Sequence, residues 1–80
     1  MRRNMSPNTQ TMTRVTAPAA AKALREGREV LALSPDGWEP VEAIERRRAA
    51  AGHTYYAVRF AGGHVRVFSV AGSFWVERAT

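Results

Sequence analysis

The chain has 80 residues, one small domain that on folding buries only about 60% of the surface its unfolded form exposes. It contains no cysteine, which excludes disulfide staples and thiolate metal sites and suits a cytoplasmic setting. Net charge is +5 and the isoelectric point lies near 11.1, a balance expected of proteins that meet phosphates or acidic protein surfaces.

Of the twelve basic residues only Lys22 is a lysine. Arginine forks pair well with phosphates, carboxylates and aromatic faces, although GC-rich coding would produce the same bias. Arg2 and Arg3 resemble the start of a signal peptide, but Asn4, Ser6, Asn8, Thr9, Gln10 and Thr11 follow where an apolar stretch would be needed. No run is long enough to cross a membrane.

Residues 1–15 are polar, carry three arginines and lack an apolar period, so they read as a flexible basic arm ahead of a domain at 16–80. Thr16 reads as a helix N-cap with Pro18 in the first turn. Ala19 through Leu24 favour helix, and Gly27 is its stop. Val30 to Leu33 form an apolar run of strand length, closed by the turn Ser34-Pro35-Asp36-Gly37.

The segment from Trp38 to Gly52 has two readings. As a helix, Asp36 and Glu39 form a capping box. Glu39, Glu42 and Glu45 precede Arg46, Arg47 and Arg48 in the order that suits the helix dipole, and Gly52 ends it. As a strand it spans Glu39–Arg47, turns at Ala49–Gly52 and produces a five-stranded meander. Val30-Leu31-Ala32-Leu33, Asp36-Gly37-Trp38, Val41-Glu42-Ala43-Ile44 and Tyr56-Ala57-Val58-Arg59-Phe60 then resemble the opening strands of Tudor and other SH3-like barrels, over about half the chain. That resemblance implies a five-stranded barrel that reads peptides through an aromatic cage or binds nucleic acid.

His53–Ala61, His64–Val70 and Ser73–Arg78 alternate and are rich in β-branched and aromatic residues, which predicts a three-stranded antiparallel meander. The expected fold is therefore α+β: this meander plus one N-terminal strand, with one or two helices on one face. A two-residue Gly62-Gly63 turn would oppose Arg59 to Arg66 and gather Arg59, Arg66, Tyr55, Phe68 and His64 on one face. With Arg46, Arg47 and Arg48, these residues form the expected partner-binding surface. An equally simple alternative covers Phe68 and leaves the arginines as a solvated rim.

Catalytic chemistry is not expected. No serine sits in an elbow motif, Gly62-Gly63 precedes a strand instead of a helix, and His53 and His64 fall at opposite ends of one hairpin, ~26 Å apart at ~3.3 Å per residue. No metal or other cofactor is expected either. A small, arginine-rich chain without catalytic motifs is similar in type to phage-encoded inhibitors of host defence complexes, the anti-CRISPR class. The resemblance implies a partner complex with an acidic or nucleic-acid-binding surface. Direct nucleic-acid binding and a Tudor-like peptide reader are the alternatives.

Overall fold

The structure is a computed structural model that describes residues 7–79. Its elements are β1 (Met12–Thr16), α1 (Ala17–Arg25), β2 (Val30–Ser34), β3 (Gly37–Arg48), β4 (Thr54–Phe60), β5 (Val65–Ser69) and β6 (Ser73–Glu77). Six strands form one open sheet in the order β1-β6-β2-β3-β4-β5, every neighbour antiparallel. The architecture is thus a small antiparallel sheet with one helix, with more strands than expected and without barrel closure.

The helix forms where composition predicts it. Thr16 is extended (ψ 173°) and breaks β1 into α1, with Pro18 in the first turn, where its missing N–H leaves no hydrogen bond unmade. The C-terminus closes in a Schellman motif: the Gly27 and Arg28 amides donate to the Leu24 and Ala23 carbonyls, both at 3.0 Å. Gly27 sits at φ 80°, the left-handed position that favours glycine. Ala17, Ala20 and Ala23 are fully buried, so their methyl-sized side chains let the helix lie close on the sheet.

The core beneath α1 contains Phe60, Phe74, Val30, Val58 and Val76, flanked by Val15, Leu24, Ile44 and Phe68. β2 is buried on both faces: Val30 and Ala32 point to the core, while Leu31 lies on the opposite face beside Trp75.

The helical reading of residues 38–52 is overturned. β3 is a twelve-residue strand between β2 and β4. Helix propensity and charge order are worth a few tenths of a kcal/mol per residue. A helix here would leave the backbone edges of both β2 and β4 unpaired, a larger loss. Pairing jumps between Val41↔Phe60 and Ala43↔Arg59, so Glu42 is a bulge residue. The bulge resets the alternation: Val41 and Ile44, three apart, both point toward the core.

The expected meander also fails at its last strand. β6 pairs with β1 and β2 and not with β5, which it meets through the Phe68–Phe74 ring contact, 5.0 Å between centroids. Residues 12–15 of the expected arm belong to β1, and Arg2 and Arg3 lie outside the described residues.

The β4–β5 register differs by one residue from the two-residue-turn reading. Arg59 opposes Val65 and Val58 opposes Arg66. The Gly63 amide donates to the Phe60 carbonyl at 2.8 Å and the Phe60 amide to the His64 carbonyl at 2.9 Å, a three-residue loop with Gly63 alone at positive φ (99°). A type I′ turn would require positive φ at both glycines. Gly63→Ala should therefore cost about 1–2 kcal/mol in chemical denaturation, and Gly62→Ala under about 0.5 kcal/mol. Equal costs at both positions would restore the two-residue turn.

Candidate anion-binding site

The one-residue register change separates the residues expected to act together. Taking the face under α1 as inner, Phe60, Val58 and Tyr56 of β4 lie there with Arg66 and Phe68 of β5. Arg59 and Tyr55 lie on the outer face with Val65, Val67 and Ser69. Arg59 and Arg66 are thus on opposite sides of the sheet. On β3 the bulge sends Arg46 and Arg48 inward, in line with Ile44, and Arg47 outward.

Three of the five expected arginines have a partner. Arg59 pairs with Glu42 at 3.2 Å and Arg47 with Glu45 at 2.7 Å, both on exposed surface. Arg66 donates to the Leu33 carbonyl at 2.8 Å and stands 5.8 Å from the Phe68 ring centroid. The expected surface is thus split in two: Arg66, Phe68, Arg46 and Arg48 share the inner face, and Arg59, Tyr55 and Arg47 share the outer one.

Elsewhere, Arg28 pairs with Glu26 at 3.5 Å, and the Arg78 guanidinium donates to the Thr9 carbonyl at 3.2 Å. Arg14 stands 5.5 Å from the Trp75 centroid and 5.9 Å from that of Trp38. The two indoles meet edge to face at 6.4 Å and 81°. This perpendicular corner is the nearest thing to an aromatic cage, and the protein's own Arg14 already stands over it.

Among the described residues, Lys22, Arg25, Arg46 and Arg48 are the four cations with no carboxylate, carbonyl or ring contact. They lie on two elements, and two of them, Arg25 and Arg46, line a common cleft. Lys22 and Arg25 occupy the last turn of α1, where they complement its carbonyl end, and Arg46 and Arg48 extend along the inner face of β3. Between helix and strand lies a cleft of about 220 Å³ lined by Pro18, Ala21, Arg25, Ile44, Arg46 and Tyr56. Tyr56 pairs across the sheet with Arg46 and is 6% exposed. Its ring therefore forms part of the floor and offers no free face for base stacking.

Two exposed guanidiniums lining one cleft, one from α1 and one from β3, suit a phosphate or carboxylate group held by paired N–H donors. A shallower depression of about 170 Å³ on the outer face, lined by Ala43, Glu45, Arg47, Ala57, Arg59 and Val65, has its arginines already paired with glutamates. Among the described residues, no group of three or more His, Asp or Glu is placed to hold a metal ion, and no helix is long and apolar enough to cross a membrane.

Sequence reasoning missed Lys22, Arg25, Pro18 and Tyr56. Only the spacing of Pro18, Ala21 and Arg25 along one helical stripe hinted at a shared face. Comparison with protein-family models, with curated proteins and with solved structures finds no match.

Arg46→Gln with Arg48→Gln should leave unfolding free energy within about 0.5 kcal/mol of the parent, because neither side chain has a partner to lose. Arg14→Ala should lower it by about 0.5–1 kcal/mol and shift tryptophan fluorescence. A larger loss from the β3 pair than from Arg14 would mean that those arginines hold the fold.

Proposed function

We propose that this chain is a non-enzymatic binding protein that docks, through Lys22, Arg25, Arg46 and Arg48, on the anionic surface of a nucleic-acid-handling complex. That is the role of a small inhibitor of the anti-CRISPR type encoded by a phage or mobile element. The observation that supports the reading is the segregation of charge. The other described arginines are tied to a carboxylate, a carbonyl or a ring, while Arg25 and Arg46 line one cleft and Lys22 and Arg48 stand on the same two elements without such a tie.

A net charge of +5 supports an anionic target. That charge favours a target surface of opposite sign over a basic nucleic-acid groove. Such a protein is drawn to acidic side chains or to the phosphates a complex carries.

Direct binding to nucleic acid is the second reading, favoured by arginines on both walls of the cleft, which could meet successive phosphates. With Tyr56 buried and Phe68 half-buried against Phe74, it would be backbone binding of low sequence preference.

Fluorescence anisotropy with labelled single- and double-stranded nucleic acid and with labelled polyglutamate, at low and moderate salt, tests both. Binding should weaken with salt, and Arg25→Glu with Arg46→Glu should reduce the salt slope by about two phosphate contacts and abolish most of the affinity. Arg59→Glu, which reverses an arginine already paired, should change affinity far less. Binding to polyglutamate alone would favour an acidic protein target. Binding to neither probe would sink the reading.

A further inference from the structure

Among the described residues, four large hydrophobic side chains are exposed, and three lie on β5 or immediately after it: Val65 (60%), Val67 (62%) and Val70 (46%). β5 ends the sheet, with β4 on one side and no strand on the other. Hydrogen bonding on the two sides of β5 follows from its hairpin. The Phe60 amide donates to the His64 carbonyl, so His64, Arg66 and Phe68 direct their backbone groups toward β4. The backbone N–H and C=O groups of Val65 and Val67 then point outward, unpaired, beside two bare valines.

Edge strands of this kind are commonly guarded by an inward-pointing charge. Arg66 occupies that position, but its guanidinium is engaged by the Leu33 carbonyl and lies by the Phe68 ring. The other terminal strand is better protected: β1 has Arg14 on one face, its Met12 is buried, and it runs directly into α1.

We propose that β5 is the pairing edge for a second copy of this chain, the two β5 strands joining antiparallel about a two-fold axis at Val67. The occupant is specified by self-complementarity. In this register Val67 opposes Val67 of the other copy, Val65 opposes Ser69, and Arg66 opposes Phe68. No like charges are directly opposed, the outward backbone groups are in phase, and four valines form one strip on the outer face. A slip of one residue would place Arg66 against Val67 and bring inward-directed backbone groups to the joint. Shifts of two residues keep the phase but either oppose Arg66 to Arg66 or leave part of the strand unpaired, so the axis at Val67 is the one that pairs all of Val65–Ser69. The result is a twelve-stranded continuous sheet that leaves both clefts open.

Sedimentation of the full chain from micromolar to millimolar concentration tests this. The expected result is a mass rising toward twice 8.8 kDa, with the dimer favoured by added salt because each copy carries +5. Anion binding responds to salt in the opposite direction. Val67→Pro removes the outward N–H without touching the bonds to β4 and should leave a folded monomer. Should that variant fail to fold, Val67→Lys places two ammonium groups at the axis of an exposed site and should equally abolish dimerisation. Arg25→Glu with Arg46→Glu should still dimerise, and more readily than the parent at low salt, because its net charge falls from +5 by two units per substitution. A parent chain that stays monomeric throughout, or a folded Val67 variant that still dimerises, overturns the proposal.

Discussion

The bulge at Glu42 is the constraint on which the rest of this structure depends. β3 must pair with β2 through its first half and with β4 through its second, and the extra residue between Val41 and Ala43 lets one strand serve both. Without it, alternation from Val41 would direct Ala43, Glu45 and Arg47 inward, burying a carboxylate, and would turn Ile44 out to solvent. With it, Ile44 closes the margin of the core and Arg46 and Arg48 align beside α1. One residue of backbone irregularity thus sets both the packing and the charge of the cleft.

The helix contributes through smallness more than through bulk. Three buried alanines keep α1 close to the sheet, so the aromatic mass of the core comes from β4 and β6 as Phe60 and Phe74. The shallow seat leaves a cleft along the helix side instead of a sealed interface, and Arg25 and Arg46 line it. A larger residue at position 20 or 23 would lift α1 and separate the two walls. Stability and recognition therefore rest on the same close approach.

Charge in this molecule is divided by face. On the outer face arginines alternate with glutamates along β3 and neutralise one another, as at Arg47–Glu45 and Arg59–Glu42. Exposed pairs of this kind add little to stability, but they cancel the local field. On the inner side beyond Ile44 no acid follows, and the field of four cations is uncompensated. The net +5 of the chain is felt most strongly there.

The sequence by itself determined what local chemistry controls: α1 with its proline start and glycine stop, the β2 run, the strands at 54–60, 65–69 and 73–77, and a basic, α+β character. These signals depend on residues a few positions apart. Tertiary structure decided the remainder. Residues 38–48 have helix-like charge order but serve as the central strand, because two neighbouring strands needed its backbone. Ser73–Glu77 reads as the third strand of a meander but crosses to β2 and β1, where Val76 and Phe74 reach the core. A one-residue difference in the Gly62-Gly63 loop and one bulge residue at Glu42 redistributed Arg59, Arg66, Arg46 and Arg48 between faces. Side-chain direction in a strand has a period of two, so a single residue of register decides which arginines act together, and register is fixed only when distant strands meet.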